Sequence, residues 1–114
     1  MVFDPVGGDA FRKSTKCVAF EGRILVVGFA SGTVPSPALN HALVKNYSIV
    51  GLHWGLYREK DPAQVAAAHA ELTGLAASGA IAPLVSRRLS FDEVPDGLTS
   101  LAAGDTIGRL VLTL

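Results

Sequence analysis

The stretch GRILVVGFASG, residues 22–32, decides how this chain is read. Ile24, Leu25, Val26 and Val27 form an unbroken apolar run, rich in β-branched side chains, that stops at Gly28. A strand with one wet face alternates apolar and polar residues. This one does not alternate, which is the pattern of a parallel strand covered by helices on both faces. Beyond it, residues 29–37 open into a loop rich in Gly, Ser and Pro.

The flanking segments follow from the same reading. Residues 9–20 predict a helix, with Phe11, Ser14, Thr15 and Val18 on one face, Cys17 beside them, and Arg12, Lys13 and Lys16 opposite. Asp9 suits its start and Gly22 its end. Val2 and Phe3 read as the tail of an earlier strand that runs into the turn Asp4-Pro5-Val6-Gly7-Gly8. Residues 38–45 predict a short helix, and residues 47–52 a second buried strand ending in His53-Trp54-Gly55.

Asp61-Pro62-Ala63-Gln64 is a helix start: Asp61 can cap, Pro62 fits the first turn, and Gln64 sits at the reciprocal capping position. That helix is expected to run to about residue 78, with Val65, Ala68, His69, Leu72, Leu75 and Ala76 on one face and Gly79 as its stop. Residues 84–89 predict a strand with Pro83 at its edge. Ser90 to Glu93 has the pattern of a capping box. Val94, Leu98, Leu101 and Ala102 form the apolar stripe of the following helix, and residues 109–114 a closing strand. Strands and helices alternate throughout, so the expected fold class is α/β with a parallel sheet at its centre.

With 114 residues, 49% of them apolar, the chain is one domain or a piece of one, and it can bury a core. Ten basic residues balance ten acidic ones without a run of like charge, so no nucleic acid or anionic membrane is indicated as partner. No apolar stretch approaches the length of a membrane span, and the start lacks the basic region of a signal peptide; a cytoplasmic location is the expectation. Cys17 is the single cysteine, expected to pack as a small hydrophobe. His41, His53 and His69 do not fall at zinc-ligand spacing, and His69 is expected partly buried and hydrogen-bonded.

In open parallel sheets, ligands sit outside the carboxyl ends of the strands. Three such ends are visible, at residues 4–8, 28–32 and 52–55, each with small residues where a backbone could approach a ligand. Ser31 adds a hydroxyl, and Phe29 and Trp54 could flank an aromatic ring. Any one of these glycines is also explained as a turn residue; three successive strands ending this way favour a ligand edge. There is no GxGxxG turn, no P-loop and no nucleophile elbow, so these residues do not make a self-sufficient catalytic site, and no catalytic residue is assigned.

Three segments taken together, VFDPVGGDAF (residues 2–11), EGRILVVGFASGTVP (21–35) and KNYSIVGLHWG (45–55), resemble the medium-chain dehydrogenase/reductase superfamily. The closest branch is the zinc-independent NADPH:quinone oxidoreductases, which are zeta-crystallin-like. The tail DEVPDGLTSLAAGDTIGRLVL (92–112) is similar to that family's closing segment, with Gly108-Arg109-Leu110-Val111 where the family usually carries Gly-Lys-x-Val.

The resemblance implies a GroES-like catalytic barrel joined to a Rossmann domain that binds NADPH, with hydride transfer to a small-molecule quinone or enone. It implies cofactor contacts at Val6, Gly28, Phe29, Ala30 and Ser31, beside the nicotinamide and its ribose, and at Leu52, His53 and Trp54 at the nicotinamide end. The strand at 47–52 would be the sheet edge that pairs with its copy in a homodimer. Residues 1–79 would be a partial Rossmann domain, and residues 80–114 a strand-helix-strand tail that returns to the barrel. The first half of the Rossmann sheet, its Gly-rich turn and the residues that read the 2′-phosphate have no counterpart here, so the chain matches the C-terminal third of such an enzyme. Two other readings stand beside it: a non-catalytic dimerisation or interaction module, and one chain of a split oxidoreductase.

Overall fold

The apolar run of residues 24–27 becomes β2 (Arg23–Val26), the central strand of a three-stranded parallel sheet with β1 (Val2–Asp4) and β3 (Ser48–Gly51) at its sides. In register, Val2 stands opposite Ile24, and Ile24 opposite Ile49. The computed structural model describes all 114 residues, which form two units, 1–65 and 66–114.

In the first unit, α1 (Gly8–Cys17) connects β1 to β2, and α2 (Leu39–Lys45) connects β2 to β3. Parallel crossovers are right-handed, and both of these step in the same direction across the sheet. Both helices therefore lie on one face. That face carries the core: Phe11, Val18, Ile24 and Tyr47 are buried, with Val2, Val26, Ala42 and Ile49 packed against them. On the opposite face Phe3 is 62% and Val50 38% exposed. Within this unit, then, the non-alternating strand is covered by helices on one face only, because its two crossovers run the same way.

Helix α1 ends one residue before Phe11's partner in the stripe: Val18, seven residues on, is the buried C-cap. Cys17 lies a third of a turn away and is exposed, contrary to the expected packing. The freed carbonyls at this end accept hydrogen bonds from the Lys45 ammonium, at 3.1 Å (Thr15) and 2.8 Å (Lys16), the favourable place for a cation on a helix. Asn46 in the left-handed region ends α2 (φ 50). Past β3, a 3-10 turn (Trp54–Leu56) leads into the short α3 (Tyr57–Lys60).

Helix α4 (Pro62–Ala77) starts where the sequence indicates, with the Gln64 N–H donating to the Asp61 carboxylate at 3.0 Å. Its expected apolar face is open: Leu72 is 55% exposed, and His69 is exposed with no side-chain hydrogen bond. The histidine expected to be partly buried is thus a surface residue.

In the second unit β4 (Val85–Leu89) and β5 (Arg109–Leu112) pair in parallel through a 3-10 turn (Phe91–Glu93) and α5 (Val94–Ala103). The Ser90 N–H and hydroxyl both donate to Glu93, at 2.8 and 2.9 Å, completing the capping box. These bonds, the backbone one foremost, hold the Glu93 carboxyl below its ordinary range. The buried position of α5 is Gly97, not the stripe expected from Leu98 and Leu101, which are 60% and 55% exposed. A Cβ on Gly97 would run into the Leu89 side chain, so the absence of a side chain lets the strand's one buried leucine seat against the helix.

The asymmetry of the first sheet has a direct consequence. Ile24→Ala, at a site with no exposure, is expected to cost about 3 kcal/mol in urea unfolding. Phe3→Ala, on the open face, is expected to cost about 1 kcal/mol or less.

Candidate functional site

The three parallel strands of the first unit leave their carboxyl ends on one edge, and two of the loops there are joined beyond the sheet. Val27 N–H donates to Asp4 O, Ala30 N–H to Pro5 O, and Ser31 N–H to Val6 O, each at 3.0 Å; Gly8 N–H donates to Thr33 O at 3.0 Å. On the other side Leu52 N–H donates to Val26 O at 2.9 Å. The strand pairing thus continues as a backbone seam into the loops.

Asp4 anchors one side of the seam. It is 3% exposed, and its Oδ1 accepts from the N–H groups of Val6 and Gly7, both at 2.9 Å. This is a side chain imitating a backbone turn. Its Oδ2 is buried without a partner.

The glycines divide into two kinds. Gly7 has φ 72 and ψ −155, a region that side chains exclude. A Cβ there would sit 2.8 Å from Thr33 O and 2.9 Å from Phe29 Cδ1. On Gly28 it would sit 3.3 Å from Pro5 O. These two residues let one loop backbone lie against the other, which is the turn reading rather than the ligand reading. Gly51 differs: a Cβ there meets nothing within 4 Å.

The open space beside Gly51 belongs to a cavity of about 680 Å³ between the ends of β2 and β3. Gly28, Phe29, Leu52 and His53 line it, joined by Gly51 and Tyr57. Trp54 lies outside the lining, 46% exposed, and stacks on Tyr57 with ring centroids 5.2 Å apart and planes at 30°. Of the eight residues expected at a cofactor, four therefore share one cavity and a fifth reaches it through Tyr57. The amides of Val6, Ala30 and Ser31 are already engaged, in the Asp4 turn and in the seam. The Ser31 side chain lines a second, separate cavity.

Sequence reasoning did not expect Val26, Val27, Gly51, Leu56 or Tyr57 at the cavity, and Tyr57 is the aromatic one among them. Seven residues with a glycine in the first turn give no periodic pattern, so the helical turns at 54–60 were invisible. Once they are known, Tyr57 falls three residues after Trp54, on the same face of the turn.

The cavity lining holds no Lys, Arg, Asp or Glu; His53 and Tyr57 are its only polar side chains. Such a site suits a flat, uncharged heteroaromatic ring held between aromatic and aliphatic walls, and it does not suit a polyphosphate.

A profile described as zinc-binding dehydrogenase matches residues 1–112. Quinone oxidoreductase-like protein 2 of Bos taurus is 35% identical over 114 residues, which are all of this chain and 33% of that protein. A mycobacterial protein solved in complex with NADPH superposes with a TM-score of 0.82 at 25% identity, over 99% of this chain and 34% of that one. A quinone oxidoreductase of Pseudomonas syringae pv. Tomato gives 0.76 at 26% identity, over 99% and 35%. The chain spans about a third of the length of the relatives it matches. No three His, Cys, Asp or Glu side chains converge anywhere in it, so it does not by itself offer a set of zinc ligands. No helix is long and apolar enough to cross a membrane.

The two kinds of positive-φ glycine separate in a stability measurement. Gly32→Ala (φ 74, open space) is expected to cost about 1–2 kcal/mol by thermal unfolding, the strain of the left-handed region alone. Gly7→Ala is expected to cost at least about 3 kcal/mol, because backbone overlap adds to that strain.

Proposed function

The chain belongs to the zinc-binding dehydrogenase family, and on that premise we propose that it forms the nicotinamide side of the cofactor site of an NADPH-dependent quinone or enone oxidoreductase. Residues 1–79 are the cofactor-binding part, and residues 80–114 the part that completes a catalytic barrel. The observation that carries the reading is the uncharged, aromatic-walled cavity between the ends of β2 and β3. It fits the ring end of a nicotinamide cofactor and has nothing to hold a diphosphate, as expected of a site whose phosphate grip lies outside this chain.

NADPH, when bound, supplies a hydride from its nicotinamide ring. This chain's own residues bind and orient that ring. Phe29, 42% exposed, and Tyr57 offer faces for it. The missing side chain at Gly51 leaves the ring room. Val26 and Leu52 exclude water from one side, which strengthens every polar contact made inside. The seam from Asp4 to Thr33 holds Gly28 and Phe29 in place, so the wall needs no rearrangement when the ring arrives.

The same family reading makes the chain a homodimer through β3. That strand pairs with β2 on one side only, and Val50 upon it is 38% exposed. An unpaired parallel edge of this kind is a template for a second strand. This feature also supports the alternative in which the chain acts as a dimerisation module without cofactor.

Reduced nicotinamide mononucleotide is expected to quench Trp54 fluorescence saturably, and adenosine 2′,5′-bisphosphate to leave it unchanged. Gly51→Val, which adds bulk only to open space, is expected to weaken the quench at least about fivefold with an unchanged melting curve. A response to the adenosine half alone would overturn the assignment. By light scattering at high concentration the chain is expected to be dimeric, and Val50→Lys monomeric; a wild-type monomer would remove both the homodimer and the module reading.

A further inference from the structure

The first unit holds a second cavity, of about 650 Å³, that shares no lining residue with the strand-end site. It lies on the helix-covered face, where its floor is made by the buried rings of Phe11 (2% exposed) and Tyr47 (7%). The loop after Ser31 forms a wall, with Val34, Pro35 and Pro37 presenting apolar surface. The volume is that of a small-molecule site, and the floor is aromatic.

Eight of the lining residues carry polar side chains; Arg12 is the one arginine or lysine among them and Asp9 the one carboxylate, the others being hydroxyls and the His41 imidazole. His41 Nδ1 lies 3.2 Å from the Tyr47 hydroxyl, with the rings edge-on at 5.8 Å. With the tyrosine donating to Nδ1, the imidazole carries its hydrogen on Nε2, which becomes a donor. Arg12 is oriented by Asp9, whose Oδ1 accepts from Nε at 3.2 Å. That bond uses one edge of the guanidinium and leaves its two terminal nitrogens without a protein partner. An arginine fork so held is suited to a planar carboxylate. One arginine, half offset by Asp9, does not suit a polyphosphate. An aromatic floor with donors on two sides is more than a plain hydrocarbon needs.

We propose that this cavity binds a small aromatic carboxylic acid, its ring against Phe11, Tyr47 and Pro35 and its carboxylate on Arg12 and His41. The site is independent of the cofactor reading: it is built from α1, the 31–38 loop, α2 and Tyr47, while the nicotinamide cavity is built from the ends of β2 and β3.

The test is a titration of the ¹⁵N-labelled chain with 2-naphthoate and, separately, with the isosteric 2-naphthamide, followed by amide chemical shifts. Naphthoate is expected to bind with a Kd of about 1 mM or tighter, the level that ordinary ligand efficiency gives for its size. The amides of Gly8, Thr33 and His41 are expected to shift, and those of Gly28, Gly51 and His53 to stay. Naphthamide is expected to bind at least about fivefold more weakly. Arg12→Gln, an exposed change that keeps the fold, is expected to weaken naphthoate about tenfold and to leave naphthamide unchanged, as loss of a charge-assisted bond requires. Equal binding of acid and amide, an Arg12→Gln variant that binds naphthoate normally, shifts confined to the strand-end amides, or no shift at all would each overturn the proposal. No nucleotide enters this experiment, so its failure leaves the cofactor reading untouched, and failure of that reading leaves this one standing.

Discussion

Everything at the strand-end edge depends on one backbone seam. The buried Asp4 carboxylate folds residues 4–7 into a turn, and the loop after β2 lies along that turn through the carbonyls of Pro5 and Val6. Two backbones come this close only because Gly7 and Gly28 carry no side chain. The seam replaces the flexibility expected of a Gly-rich loop with a fixed wall. It also engages the amides of Val27, Ala30 and Ser31. A ligand at this edge meets mainly side-chain faces and glycine surface, with most of the loop's N–H groups turned into the seam, unlike the converging donors of a phosphate-binding loop.

The burial pattern gives the second constraint. Five hydrophobic residues are buried, four of them in the first unit, where they lie under α1 and α2. The second unit buries one, Leu89, and rests on a two-stranded sheet. Sheets of that width are marginal without further packing. The first unit is therefore the better-packed body, and both cavities lie wholly within it.

The sequence made the parallel architecture legible because the run 24–27 lacks alternation and because Asp61-Pro62 and Ser90–Glu93 are capping signals with a local mechanism. Those parts needed only neighbours in the chain. What it did not reveal depends on partners far away in sequence. Gly97 is a buried contact because Leu89 reaches it from β4, and nothing in the helix itself says so. Cys17 and His69 sit on or beside apolar stripes, yet a stripe states only which residues share a face, not whether anything covers that face. The site was half legible for the same reason. Gly28, Phe29, Leu52 and His53 follow from the strand-end rule and share a cavity, while Tyr57 enters through helical turns with no sequence signature. Resemblance to a family suggests which ligand to propose; the residues alone suggest where to propose it.

One residue type carries two opposite messages along this edge, and the difference decides which positions matter to a ligand. At Gly7 an added Cβ would overlap a carbonyl, so the glycine is required by the fold. At Gly51 an added Cβ would meet nothing, so the fold would accept a larger residue, and a β-branched one would favour the strand. A strand position that forgoes that gain, beside a cavity lined by Phe29 and Tyr57, leaves volume the protein itself does not use. Among the glycines with an empty side, Gly51 is the one in a strand that lines a cavity, and that combination, not the presence of a glycine in a turn, is what singles it out.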